Sequence, residues 1–415
     1  MSELALLGGE KIRTKPWPGW PVVEESDRQA LLAVLEGGAW GVGGPVGPQM
    51  VREFAEFHHA EHGIAVTNGT HALELALRAC GIGPGCEVIV PPYTFIATAS
   101  APIMCNAIPV FADIDADTYC LDPAAVEQAI TPHTKAIIGV HIGGIPCNMD
   151  ALLDVARRHG LRLIEDCAQA HGAEWRGRRV GAIGDMGAFS FQSSKNVCAG
   201  EGGIVLTNDR ELAQRAWSLA NIGRVPEGAW YEHRILGWNL RLTEFQAALI
   251  RCGLQRLPKH MDRRDACGYH LQEGLDAIGG VGYARMTEGA TRQAWHLFMG
   301  KYEAADFGGL PRAKFLAALS AEGIPVSAGY TPLYREGLFR AGWEPDKCPW
   351  ACRFYGGSVS YDQVQCPVAE HVCTESGWWL PQNVLLAETA DMDDITAAIL
   401  KARENADALH QWEGS

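Results

Sequence analysis

An α/β fold is what this sequence predicts: a large domain with a mostly parallel sheet covered by helices, then a smaller C-terminal α+β domain. Three observations predict it. Short apolar runs alternate with helix-length segments from about residue 64 to about residue 220, the pattern of strands joined by crossover helices. Runs such as EVIVPP at 87–92 and AIIGV at 136–140 are continuously apolar, as strands buried on both faces are. Beyond about residue 260 the runs alternate more, and the 415-residue length exceeds one ordinary core. We place the large domain at residues 1–260, with an N-terminal arm, and the small one at 261–415.

Taken in order, residues 1–25 carry Pro16, Pro18 and Pro21 and read as an extended arm. Ser26 and Asp27 cap an amphipathic helix that stops at Gly37-Gly38, and a second helix is expected over 49–62. Strands are expected at 64–67, 87–92, 108–114, 135–141 and 161–165, with helices at 71–80, from about 94, at 123–130 and at 149–159. After the run ending in Phe189-Ser190-Phe191, the chain returns through GGIVLTND to a helix at 211–220. Two long helices are expected at 242–257 and 263–275, a strand at 296–303, and helices at 312–322 and 392–405.

Composition narrows the function. A net charge of −14 disfavours a nucleic-acid partner, because phosphate backbones are met by clustered Lys and Arg. It equally disfavours an anionic membrane surface. No apolar run approaches the roughly 20 residues of a membrane helix. The N-terminus lacks the apolar core of a signal peptide, so a cytoplasmic location is expected. The 13 cysteines fit that reading. Most stand singly in apolar runs, as Cys80, Cys105, Cys167 and Cys252 do, where a free thiol packs as a small hydrophobe. Cys348, Cys352, Cys366 and Cys373 cluster, but without the spacing of a zinc knuckle, and no metal is expected.

Chemistry-bearing residues fall just past strand ends, where open α/β sheets bind ligands. Asn68-Gly69-Thr70 joins a strand to a helix, which makes an anion site of the helix start; the same three residues also form an ordinary turn and cap. Tyr93 follows VIVPP and offers a ring to a planar ligand, or is a surface tyrosine. Asp166 follows LRLIE, with Gln169 and His171 close behind; an acid there is also a plain helix cap. The Ser190 hydroxyl lies in an apolar run and needs a partner, a phosphate oxygen or a backbone carbonyl. Lys195 lies on a loop between that run and AGEGG, where desolvation lowers an amine's pKa and frees it for carbonyl chemistry. Together these make one pyridoxal phosphate site: phosphate at Gly69, ring at Tyr93, ring nitrogen on Asp166, aldehyde on Lys195.

The motifs TNGTHALELAL, VIVPPYTF, IPVFADID, EDCAQAHGA, FSFQSSK, AGEGG and GWNLRLTEFQAA, in that order, resemble those of the DegT/DnrJ-type pyridoxal-phosphate aminotransferases of fold type I, which act on keto-sugars and cyclitols. The resemblance implies that Gly69 and Thr70 bind phosphate with Ser190, that Tyr93 stacks, that Asp166 meets the ring nitrogen and Gln169 the ring oxygen, and that Lys195 is the Schiff-base lysine. It implies that Asn239 reaches the phosphate across a homodimer interface, so that the active sites are shared. Dehydratases of the family carry histidine in place of that lysine, so Lys195 implies transamination. The branch most similar comprises glutamine:scyllo-inosose aminotransferases, with 3-amino-5-hydroxybenzoate synthases as the alternative and a non-catalytic cofactor-binding protein as a remote one. AGYTPLY departs from the His-Tyr before Pro-Leu-His of the sugar aminotransferases, which marks Tyr330 and Tyr334 as substrate contacts. For the donor carboxylate, from glutamine or glutamate, Arg224 and Arg241 are the candidates, since a guanidinium binds a carboxylate through two hydrogen bonds; either also suits a structural acid.

Overall fold

The computed structural model describes residues 3–340, 350–356 and 359–414; Cys348 lies outside them. A seven-stranded sheet forms the centre, built from β1 (His62–Val66), β2 (Glu87–Val90), β3 (Ile108–Phe111), β4 (Thr134–Val140), β5 (Arg162–Asp166), β6 (Met186–Ser190) and β7 (Gly203–Thr207), in the order β1-β7-β6-β5-β4-β2-β3. Only β7 runs against the others; the pairs β6-β5, β5-β4, β4-β2 and β2-β3 are parallel. Every residue of β2, β6 and β7 is buried, which accounts for the apolar residues that fill them, with one polar residue at an end of each. Register sets Asp166 opposite Val140 and Ala188. The carboxyl ends of β4, β5 and β6 therefore lie side by side.

Local chemistry fixes where the helices begin. Helix α1 (Glu25–Gly37) opens with a capping box between Glu24 and Asp27, two residues earlier than Ser26 suggested, and α2 (Val46–Phe57) stops before β1. The Asn68 side chain caps α3 (Gly69–Ala79), accepting the His71 N–H at 2.8 Å. Helix α4 (Ala97–Met104) follows β2. Asp122, Asn148 and Asp209 cap the helices Pro123–Ala129, Met149–His159 and Arg210–Ala220 in the same way. A buried carboxylate also organises the sheet end. Glu165 accepts N–H groups of Gly181, Ile183 and Gly184, each at 2.8 Å, and faces His141 Nε2 at 3.2 Å.

One expectation is corrected here. The two helices expected at 242–257 and 263–275 are a single helix, α5 (Glu244–Ile278), with Pro258 inside it. It stays continuous because it is packed along its length. Leu254, Leu257 and Met261 enter the core under the main sheet, and Cys267, Leu271 and Leu275 enter a second core. That second core is built on a three-stranded antiparallel sheet of β8 (Val281–Tyr283), β9 (Leu297–Tyr302) and β10 (Gly377–Pro381), in that order. The first residues of the arm pack there and not on the main sheet. Leu4 is part of the second core, and the N–H groups of Ala5 and Ile12 donate to the buried Glu322 carboxylate at 2.8 and 2.9 Å. No helix among the described residues is long and apolar enough to cross a membrane, and eleven of the described cysteines, Cys80 to Cys267 with Cys366 and Cys373, are free thiols.

Candidate active site

The carboxyl ends of the parallel strands open into a cleft of about 900 Å³. Gly69, Thr70, Asp166, Gln169, Ser190, Lys195 and Tyr330 line it together, although they are spread over 261 positions of sequence (330 − 69).

At one end lies the first turn of α3, whose N–H groups have no partner within the helix and carry its positive dipole end. Gly69 sits so close to β6 that a Cβ there would come 2.6 Å from the Ser190 Cβ. Glycine is therefore what lets the helix start approach the Ser190 hydroxyl. Ser190 Oγ accepts the Gln192 N–H at a long 3.3 Å, which leaves its own proton for a ligand.

Asp166 is buried and its carboxylate is held on both sides: Thr98 Oγ1 donates to Oδ2 at 2.8 Å and the Ala168 N–H to Oδ1 at 3.2 Å. Burial pushes the Asp166 carboxyl above its usual range, against these hydrogen bonds and the charge of Lys195. A cationic N–H placed in the cleft would complete its coordination. Lys195 forms no ion pair among the described residues. Burial lowers its pKa, opposed by Asp166, so its amine is easier to free than an ordinary lysine's.

Gln169 is oriented by the backbone. Its Oε1 accepts the Gly143 N–H at 2.6 Å, so its Nε2 is the donor to Tyr330 Oη at 2.8 Å. Tyr330 accepts that bond and keeps its own proton for the cleft. Tyr330 also packs edge-on against Trp379, with centroids 4.7 Å apart.

Several expected residues are not brought to the cleft lining. Tyr93 is one: at 1% exposure its ring is wedged between Tyr119 and Tyr330, with centroids 5.5 and 5.4 Å away, and its hydroxyl has no partner among the described residues. The chain turns after Pro91-Pro92, so the aromatic presented to the cleft is Phe95, which is 58% exposed. Tyr334 is buried as well. It donates to Glu370 Oε1 at 2.7 Å and accepts the Cys366 N–H at 3.0 Å, as a brace for the helix Pro367–His371. Arg224, Arg241 and Asn239 lie outside the cleft, on the segment between the helix Arg210–Ala220 and α5. There Asn239 is exposed and pairs with Asn221, and Arg224 with His233, through backbone bridges. His171 is enclosed behind Phe54, Phe189 and Phe191.

Other lining residues carry no sequence signal. Trp20, from the arm, donates its indole N–H to the Ser193 carbonyl at 2.9 Å, two residues before Lys195. His296 Nδ1 meets Asn196 Oδ1 at 3.1 Å, and Gln382 joins the wall from just past β10. Only the paired tryptophans of WWLPQ at 378–382 could have pointed to this strand.

An unpaired lysine amine, a buried carboxylate facing the same space and a helix start with no room for a Cβ fit pyridoxal phosphate and define a fold type I pyridoxal-phosphate enzyme. Residues 21–400 match the model of the DegT/DnrJ/EryC1/StrS aminotransferase family. The chain belongs to that family and is a pyridoxal-phosphate-dependent aminotransferase. It is 41% identical over 98% of both chains to a putative L-glutamine:3-amino-2,3-dideoxy-scyllo-inosose aminotransferase of Micromonospora echinospora. It is 39% identical to an L-glutamine:2-deoxy-scyllo-inosose aminotransferase of Streptoalloteichus tenebrarius, with 96% of this chain and 97% of that protein covered. Among solved structures, a 3-amino-5-hydroxybenzoic acid synthase superposes with a TM-score of 0.85 at 36% identity, covering 96% of this chain and all of the other.

Proposed function

We propose that this enzyme moves the amino group of L-glutamine onto a cyclic ketone of the scyllo-inosose type, in the making of an aminocyclitol antibiotic. The observation that carries the reading is likeness along nearly whole chains, at 36 to 41% identity, to proteins named for that reaction. The aromatic wall of Tyr330 and Trp379 supports it, because an edge-on ring pair suits the apolar face of a six-membered ring.

Bound in the cleft, pyridoxal phosphate supplies an aldehyde that takes up the amine and a ring that accepts the electron pair left when a Cα–H bond breaks. The residues of this chain do the rest. The start of α3, with Thr70 and Ser190, holds the phosphate. Asp166, kept in place by Thr98, holds the proton on the ring nitrogen. Gln169 faces the ring oxygen and Phe95 covers one face of the ring. Lys195 would take the proton from the donor's α-carbon and return it to the cofactor on the far side of the amine nitrogen. With the ketone as acceptor, Lys195 would move the proton the other way.

We further propose a homodimer. Trp230, Tyr231 and Leu236 are 79, 77 and 84% exposed on the segment that carries Arg224, Asn239 and Arg241, and a partner subunit would cover them. The free thiols suit a cytoplasmic location, and the two cores suit a domain boundary within α5, near the expected residue 260.

The test is direct. Protein mixed with pyridoxal phosphate should gain a visible absorption band that Lys195→Ala lacks, and should form an amine from scyllo-inosose with L-glutamine. Colourless protein would sink the cofactor site. The likeness to the synthase favours a second reading, dehydration to an aromatic product, and an ultraviolet-absorbing product without amine transfer would decide for it.

A further inference from the structure

Arg264, on α5, is the most unusual charge in the molecule. Its side chain is wholly enclosed, at 0% exposure, and neither Nε nor Nη1 has a hydrogen-bond partner among the described residues. Nη2 donates to a neutral group, the amide oxygen of Gln382. The neighbouring acid is engaged elsewhere: Asp265 accepts the Trp295 indole N–H at 2.7 Å and pairs with Arg292 at 2.7 Å. Burial lowers the Arg264 pKa to about 9, so the group stays charged near neutrality. A buried guanidinium without an anion is strongly unfavourable, and nothing in the fold of this chain requires one at that place.

Its surroundings indicate where an anion would come from. Gln382 lines the cleft, and Trp20, which also lines it, has its ring centroid 5.6 Å from the guanidinium carbon. His296 is a third wall residue. Burial first, and then the charges of Lys195 and Arg264, keep it neutral. Arg264 therefore lies one side chain behind the wall, in contact with Gln382 and Trp20. Gln382 stands between, with an amide oxygen where a carboxylate oxygen would serve better.

We propose that Arg264 is the carboxylate anchor of the amino donor, and that Gln382 is a placeholder which gives up its hydrogen bond when the donor's α-carboxylate enters. The assignment rests on the aminotransferase reading and supplies what Arg224 and Arg241, both outside the cleft, do not supply within one chain. A donor held there by two hydrogen bonds has its α-carbon turned toward Lys195.

The test uses the enzyme loaded with pyridoxal phosphate and two probes: glutaramate, which is L-glutamine without its amino group, and the neutral pentanediamide. Calorimetry should show Arg264→Gln binding glutaramate about 10- to 100-fold more weakly, the loss of a charge-assisted pair, with pentanediamide binding unchanged. The ketone half-reaction, started from the pyridoxamine form, should keep its rate while the glutamine half-reaction falls. Gln382→Glu places the anion inside the protein and guards against a misfolded Arg264→Gln. It should raise the melting temperature and weaken glutaramate binding together. Equal glutaramate binding by parent and Arg264→Gln, no glutaramate binding by the parent, or a Gln382→Glu protein unchanged in both respects overturns the assignment. A parent that binds glutaramate through Arg264 yet aminates no ketone would instead sink the aminotransferase reading and leave the anchor standing.

Discussion

Gly69→Ala tests the geometry at the phosphate end. Alanine is the better helix former, by about 0.8–1 kcal/mol, and at an open helix start the change would stabilise. Here the new methyl would lie 2.6 Å from the Ser190 Cβ, 3.1 Å from its Oγ and 3.3 Å from its Cα. Two of these three atoms do not move with rotation about χ1. Ser190 is the last residue of β6, in register with Gly203 of β7, so the strand cannot retreat alone. Overpacking of this kind costs about 1–3 kcal/mol, which exceeds the propensity gain. The variant should melt lower in urea and bind pyridoxal phosphate more weakly by fluorescence titration, since α3 must move off Ser190. A double-mutant cycle identifies the cause. Ser190→Gly removes the colliding Cβ and should restore the stability of Gly69→Ala, whereas Ser190→Ala keeps that Cβ and should not. Parent-like stability and affinity in Gly69→Ala, or equal rescue by both partners, would refute the close-approach argument.

Three further outcomes are expected. The glutamine half-reaction, followed by stopped-flow absorbance, should rise with pH and level off below the ordinary lysine value of 10.5, because burial lowers the Lys195 pKa; a rate still climbing at that pH contradicts it. Tyr334→Phe should lower stability by about 1–3 kcal/mol, since it deprives Glu370 and the Cys366 N–H of a partner, and leave KM for the ketone unchanged, while Tyr330→Phe should raise that KM. Burial lowers the His58 pKa from 6.5 to about 3. The folded state thus binds fewer protons than the unfolded one inside that window, and stability should fall as pH drops from 6.5 toward 3, by at most about 1.4 kcal/mol per pH unit. His58→Phe should flatten part of that slope in urea midpoints.

The order of elements was legible because each rests on local chemistry. Continuous apolar runs marked β2 and β4, Asn68 marked a helix start, and Lys195 stood out against an apolar strand and a glycine-rich turn. Asp166 and Lys195 were readable as partners because parallel strands bring their carboxyl ends to one edge whatever the loops do. What periodicity cannot carry is the direction of a side chain once a strand has ended. Tyr93 and Phe95 are two residues apart in one turn, and only packing against Tyr119 and Tyr330 decides which of them faces the cleft. Nor does α5 reveal from sequence that Pro258 leaves it unbroken, since two separate cores hold it. Trp20, His296 and Gln382 arrive from the arm, from the start of β9 and from beyond β10. They meet in the wall of one cleft, where Trp20 and Gln382 also touch Arg264. Sequence alone therefore determined the reaction chemistry, which depends on residue types at strand ends. The tertiary structure alone decided the walls of the site, which depend on contacts between segments far apart in the chain.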